Sequence, residues 1–166
     1  MLTTGQAGLA GADGVPGELA LRGPQIMAGY WQRPEETAKV MLPGGWFRTG
    51  DIGVQEASGL LRIVDRKQDL IQVGGFNVYP NQIEEVVAQL PGVAECAAVA
   101  VPDLQAGQAV KVVVVRSAAA NAPSEDEVHA HCATHLTGYQ RPRVVEFRSE
   151  LPKSQIGKVL RRVLVE

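Results

Sequence analysis

Cysteine is scarce in this sequence, with Cys96 and Cys132 the only two in 166 residues. Each sits beside alanine, one in a predicted strand and the other in a predicted helix. Buried free thiols are therefore a simpler reading than a disulfide. Charge of one sign is also lacking. The formal net charge is -2, which gives no electrostatic reason to expect nucleic acid or an anionic membrane surface as a partner. No apolar run approaches the ~20 residues that a membrane helix requires. The opening Met1-Leu2-Thr3-Thr4-Gly5 has neither a basic stretch nor an apolar core, which argues against a signal peptide. Together these absences predict a cytoplasmic protein. No internal repeat is visible, and no Gly-x-x-x-x-Gly-Lys-Ser/Thr phosphate loop is present.

What is present is an ordinary globular mixture, 45% hydrophobic and 20% charged, in a length that suits one domain or a small domain with a piece of another. Gly5 to Gly17 is glycine-rich without apolar periodicity and is predicted as loop. A short strand is expected at Glu18–Arg22, a helix at Pro34–Met41 with proline in its first turn, and strands at Leu60–Val64 and Asp69–Val73. Residues Asn81 to Leu90 fit a helix with Ile83, Val86, Val87 and Leu90 on one face and Glu84 and Glu85 outside. The apolar runs Cys96–Val101 and Ala109–Val115 have the pattern of strands covered on both faces. Ser124 followed by Glu127 forms a helix-start signature, placing a helix to about Leu136. Val144–Phe147 reads as a strand and Lys158–Leu164 as a terminal helix. A compact α+β unit from about residue 67 onward follows, with the two helices packed on a central sheet. The glycine-rich stretch before it does not read as a complete domain.

Three short features could carry chemistry. In Arg48-Thr49-Gly50-Asp51, a carboxylate after a glycine could accept hydrogen bonds from neighbouring sugar hydroxyls, although alone it fits a solvated turn aspartate better. Arg66, within Asp65-Arg66-Lys67-Gln68-Asp69, would alone be part of a solvated face or a linker. Lys158 closes a loop bracketed by Pro152 and Gly157. It could reach a phosphate or carboxylate as a mobile point charge, or merely solvate the surface.

The order of these features matters more than any one of them. Gly17-Glu18-Leu19, Gly29-Tyr30-Trp31, Trp46-Phe47-Arg48-Thr49-Gly50-Asp51, Ile63-Val64-Asp65-Arg66-Lys67, Gly75-Phe76-Asn77-Val78-Tyr79-Pro80, Ile83-Glu84-Glu85 and Leu151-Pro152-Lys153 to Gly157-Lys158 occur in that sequence. From about Val15 to the last residue, the chain resembles the closing third of bacterial long-chain fatty-acid–CoA ligases of the adenylate-forming superfamily.

The resemblance implies an α+β fold class: a small C-terminal mobile domain at 67–166 with a central mixed sheet flanked by helices. Residues 1–66 would be the incomplete, β-rich end of the large N-terminal domain. It implies a reaction in which a fatty acid attacks ATP to give acyl-adenylate and pyrophosphate, after which coenzyme A displaces AMP; Mg2+ would be the activator. Asp51 would hold the ribose hydroxyls with Arg66 assisting, and Lys158 would bridge carboxylate and phosphate oxygens during adenylation. Lys67 and Gln68 would form the hinge, and Gly74, Gly75 and Phe76 would line the coenzyme A passage after rotation. Two departures stand out. Gln68 replaces a charged hinge residue of the family, and Tyr139-Gln140-Arg141-Pro142 replaces a Tyr-Lys-x-Pro pattern, with Arg141 one position from the missing charge. The family's ATP-gripping loop and acyl pocket lie outside this sequence, so the chain is expected to be inactive alone and to need the N-terminal domain as partner. Peripheral membrane contact and a homodimer through the remnant surface are further expectations for the whole protein. Competing readings are a stand-alone binding or regulatory module, a short-chain acyl-CoA synthetase, a luciferase-like oxygenase or an acyl-adenylate ligase for carrier proteins. Asp51, Arg66 and Lys158 together favour an enzyme, because a module without ATP chemistry has no need of all three.

Overall fold

The computed structural model describes residues 6–9 (backbone only), 14–118 and 122–165. The chain divides into two compact units, one ending at Gln68 and the other starting at Asp69.

The first unit is built on a five-stranded antiparallel sheet. Its strands are β1 (Gln6–Leu9), β2 (Gly17–Arg22), β3 (Met41–Leu42), β4 (Trp46–Gln55) and β5 (Leu61–Arg66). Strand β4 is the spine. It pairs with β2 along one edge, and with β3 and then β5 along the other. Two expectations change here. The stretch predicted as loop contains β1, which pairs with β2 from Gln6 to Leu9; residues 5 and 10–13 of that stretch lie outside the described residues. The Arg48–Asp51 segment is not a turn but the middle of β4. Its glycine belongs to a strand because cross-strand pairing outweighs local propensity. Helix α1 (Pro34–Val40) begins on its proline as predicted, with Glu35 and Glu36 at the positive end and Lys39 at the negative end. Thr37 fixes the approach to α1: its Oγ1 accepts from Tyr30 N–H at 2.9 Å and donates to Arg33 O at 2.8 Å. A Cβ on Gly29 would stand 2.8 Å from Thr37 Cγ2, so the chain passes there only as glycine.

The second unit has a mixed five-stranded sheet of β6 (Ile71–Val73), β7 (Phe76–Val78), β8 (Val93–Asp103), β9 (Gly107–Arg116) and β10 (Val144–Arg148). Strands β8 and β9 form a long antiparallel hairpin, and β10 runs parallel to β9. The valines of β9 explain why this strand lies at the centre. Val110, Val112 and Val114 join one apolar cluster with Ile83 and Val87 of α2 (Pro80–Val87) and Val128 and Cys132 of α3 (Glu125–His135). Val113 and Val115 join a second cluster with Ala97, Val99, Leu151 and Leu164. A strand alternates its side chains between faces, so a continuous valine run supplies two cores at once.

Helix α3 starts as predicted. Ser124 Oγ accepts from Glu127 N–H at 3.3 Å, and Glu127 Oε2 accepts from Ser124 N–H at 2.8 Å. The hydrogen bonds from Ser124 hold the Glu127 carboxyl below the usual carboxylate range. Helix α2 is shorter than expected, ending at Val87 where Pro91-Gly92 lies ahead. Asp69–Val73 is split, with a 3₁₀ turn at Lys67–Asp69 before β6. The predicted terminal helix is absent. Lys153 bridges Val159 as an extended pair, Leu160 N–H donates to Pro152 O at 2.8 Å, and only a 3₁₀ turn at Arg161–Val163 follows. Backbone groups committed to the pairing across the turn are not available to a helix.

Both cysteines are free. Burial pushes the Cys96 thiol up to about 12, with Glu84 and Cys132 adding to the effect, and pushes Cys132 up to about 11. The thiolate is the reactive form, so at pH 8 both should be far less reactive than an ordinary cysteine of pKa about 8.5. We expect no rapid labelling by a thiol-disulfide reagent at pH 8 in the native chain, and two equivalents on unfolding. Fast native labelling of either would contradict this burial.

Candidate functional site

Four groups of residues merit building from the backbone upward. The first is the pair Asp51 and Arg66. These residues are directly opposite in the β4–β5 register, and Asp51 Oδ1 meets Arg66 Nε at 2.9 Å. Their positions are locally fixed. Asp51 N–H donates to Thr49 Oγ1 at 3.0 Å, and that hydroxyl donates to Leu19 O at 3.0 Å. Arg66 N–H donates to Asp65 Oδ1 at 2.8 Å, with Asp65 itself buried. One Asp51 oxygen thus faces the guanidinium, and a carboxylate held this way can use the other toward a hydroxyl pair.

Beside the end of β5 lies a second ionic group. Glu18 accepts from Arg48 Nε at 3.1 Å and from Lys67 Nζ at 2.9 Å. Arg48 holds the Glu18 carboxyl below its ordinary value, with Lys67 assisting against partial desolvation. Lys67, expected only as part of a hinge, is therefore tied to β2. Gln68 is exposed, and its side chain makes no hydrogen bond among the described residues.

In the second unit, Gly74 and Gly75 form the turn between β6 and β7 with φ of +56° and +86°. Those angles are left-handed and favour glycine at both positions, and a Cβ at either would meet open space. The turn presents Phe76, which is 57% exposed and stacked on Tyr139 with ring centroids 4.6 Å apart and 14° between planes. The two rings border a groove of about 330 Å³ that Gly74, Val110, Arg141 and Arg143 also line. Tyr139 is positioned by a 3₁₀ turn in which Gln140 Oε1 accepts from Thr137 N–H at 3.2 Å. Gln140 Nε2 donates to Gln82 Oε1 at 3.1 Å, so this glutamine braces the groove rather than facing into it. Arg141 donates to Leu136 O at 3.1 Å and Ala133 O at 2.9 Å, at the negative end of α3. Carbonyls orient that guanidinium without neutralising it, whereas Arg143 is ion-paired with Asp103. The groove is thus lined by two aromatic rings and by a guanidinium, Arg141, that no carboxylate neutralises among the described residues.

Lys158 stands at the end of a tight turn. Ser154 N–H donates to Lys158 O at 2.8 Å, Gly157 N–H to Ser154 O at 2.9 Å, and Lys158 N–H to Ser154 Oγ at 3.2 Å. Gly157 has φ +78°. The Lys158 side chain is exposed and forms no ion pair among the described residues. Asp51 and Arg66 meet in the first unit, while Lys158 and the Gly74–Phe76 turn belong to separate elements of the second.

Two residues escaped sequence reading. Glu84, expected on the outer face of α2, is turned inward: its Oε1 accepts from Ala98 N–H at 2.8 Å, and both carboxylate oxygens accept from Arg161 at 2.9 Å. Arg161 also reaches Asp69 and Asn81. A glutamate following a buried isoleucine was the available signal, but its partner lies 77 positions away in the chain.

Residues 82–158 match the AMP-binding enzyme C-terminal domain. The second unit belongs to that family. The chain carrying this AMP-binding C-terminal domain is 56% identical over 155 residues to the long-chain-fatty-acid–CoA ligase of Escherichia coli O157:H7, covering 92% of this chain and 27% of that protein. It is 42% identical over 159 residues to the feruloyl-CoA synthase of an Amycolatopsis species, covering 92% of this chain and 32% of that one. Among solved structures, ATP-bound MatB from Rhodopseudomonas palustris superposes with a TM-score of 0.90 at 34% identity, over 97% of this chain and 33% of the other. The chain spans about a quarter to a third of the length of these relatives. No helix among the described residues is long and apolar enough to cross a membrane.

Proposed function

We propose that the chain is the C-terminal portion of a cytoplasmic fatty-acid–CoA ligase that works through acyl-adenylate, with residues 1–66 closing the large domain and 67–166 forming the mobile one. The observation that carries this reading is the 56% identity to a named ligase over 92% of the chain. The preserved chemistry supports it. A carboxylate of Asp51 braced by Arg66 suits two ribose hydroxyls, and an exposed Lys158, without an ion pair among the described residues and set on a hydrogen-bonded turn, is available to meet the oxygens of ATP and the fatty acid. The fatty-acid carboxylate attacks the α-phosphorus, the bond to pyrophosphate breaks, and Lys158 offsets the negative charge of that transition state. After rotation at Lys67–Gln68, the Gly74–Gly75 turn lines the passage through which the thiol of coenzyme A reaches the acyl carbon and AMP leaves. The Phe76–Tyr139 groove would receive the aromatic and phosphorylated end of coenzyme A, with Arg141 supplying charge in place of the lysine that Gln140 replaces.

No three His, Cys, Asp or Glu side chains among the described residues are grouped to hold a metal. Mg2+ would therefore enter with the phosphates of ATP rather than on this chain. Exposed Trp31, Leu60 and Ile63 in the first unit are what the rest of a large domain would cover. The ligase reading also assigns the acyl pocket elsewhere, in keeping with relatives whose names give different acids.

The test is an exchange of parts. This chain, fused in place of the matching segment of the Escherichia coli ligase, should restore fatty-acid-dependent ATP–pyrophosphate exchange and acyl-CoA formation, while the chain alone should do neither. A folded but inactive fusion, or exchange by the isolated chain, would overturn the reading.

A further inference from the structure

Arg161 holds a position that neither the sequence motifs nor the family match assigns. It opens the 3₁₀ turn that follows Lys158 by three residues. Its guanidinium donates to both oxygens of Glu84 at 2.9 Å, to Asn81 Oδ1 at 3.3 Å and to Asp69 Oδ2 at 3.3 Å. These side chains are largely covered, Arg161 being 25% exposed, Glu84 19% and Asp69 21%. Glu84 is held independently by the backbone of β8 through Ala98 N–H. Asp69 is the first residue of the second unit, one position after Gln68. The segment between Lys158 and Arg161 has little slack, since Val159 bridges Lys153 and Leu160 N–H is bonded to Pro152 O.

We propose that Arg161 is a positioning residue: it ties the turn bearing Lys158 to the start of the mobile unit, so that rotation at the hinge delivers the ammonium to a fixed place. This rests on the ligase reading above. Arginine suits the task because its planar fork engages three acceptors at once, whereas a lysine ammonium is a single point charge on a flexible stem. The competing role is a plain structural ion pair, which would hold the fold without favouring either half-reaction. The geometry argues against that restriction. Leu151 and Leu164 already anchor both ends of the tail in the second apolar cluster, so the ionic contacts add orientation to a segment that packing retains.

The experiment uses the full-length ligase, with adenylation read by ATP–pyrophosphate exchange and thioester formation read from supplied acyl-adenylate. Arg161→Leu should lower kcat of adenylation by roughly 10- to 100-fold, the effect of an ångström-scale misplacement, with KM for ATP little changed. Thioester formation should stay within about 3-fold. Arg161→Lys should recover part of the loss, and Asp69→Asn should move adenylation the same way by a few-fold. A double variant, Arg161→Met with Glu84→Gln, avoids leaving the partly covered Glu84 carboxylate bare while keeping the acceptor for Ala98 N–H. It should show the same selective loss at a near-native melting temperature. Equal slowing of both half-reactions in folded variants, or slowing of neither, would overturn the proposal. Lys158→Ala measured alongside separates the two ideas: selective loss there without selective loss at Arg161 sinks the positioning role alone, whereas no effect at Lys158 sinks the ligase reading of this tail.

Discussion

Replacing Lys158 by alanine in the full-length protein should reduce adenylate formation roughly 100- to 1,000-fold, equivalent to about 3–4 kcal/mol of transition-state stabilisation. Thioester formation from supplied acyl-adenylate should remain nearly unchanged. The asymmetry follows from position. The lysine stands at the end of a turn pinned by Ser154 and by the Lys153–Val159 bridge, and on the proposed reading it is brought to the site for one stage and withdrawn for the next. A surface lysine with only a solvating role would shift either step by less than ~0.5 kcal/mol. Gly75→Val should have the complementary effect, slowing the thioester step. A Cβ there meets open space within this unit but demands a left-handed φ of +86°, and its bulk would stand in the proposed passage. Paired half-reaction assays decide the matter; a parallel loss in both steps for Lys158→Ala would remove its assigned role.

The second large effect concerns stability. Ile83 is fully buried in the cluster between α2, α3 and the sheet. Truncation to alanine removes three carbons from a site lined by strands that cannot easily collapse inward. We expect a loss of about 3–4 kcal/mol, a large share of the 5–15 kcal/mol that typically holds a domain together. Urea denaturation followed by far-ultraviolet circular dichroism should show a lower midpoint, and hydrogen exchange in β8 and β9 should accelerate. Glu85→Ala, on the exposed side of the same helix, is the control and should stay within ~0.5 kcal/mol. A loss below about 1 kcal/mol for Ile83→Ala would mean that the site closes over the cavity.

The second unit was largely legible from its residues. The valine run of β9 announces a strand covered twice, and Ser124 with Glu127 announces the start of α3, because both signals depend on neighbours in the chain. The misreadings share an origin in backbone and side-chain pairing, near or far in the chain, that the local pattern does not reveal. Arg48–Asp51 looks like a turn until β2 and β5 take up its backbone groups. Lys158–Leu164 reads as a helix, yet Lys153 and Pro152 hold its beginning extended. Glu84 looks solvated until Arg161 arrives from the far end of the sequence. For the candidate site, the identities of Asp51, Arg66 and Lys158 stood out only through a family resemblance. The meeting of Asp51 with Arg66 and the stacking of Phe76 on Tyr139 required the folded backbone.

The segment after Leu151 both carries Lys158 and seals one face of β9, through Leu151, Val159 and Leu164 against Val113 and Val115. A molecule nicked before this segment would therefore lose more than Lys158. It would bare a row of valines and alanines of the kind that sticks to other chains and is recognised by chaperones and proteases. On the ligase reading, clipping there would remove Lys158 and the cover of the sheet in one event, so clipped copies should be cleared rather than persist.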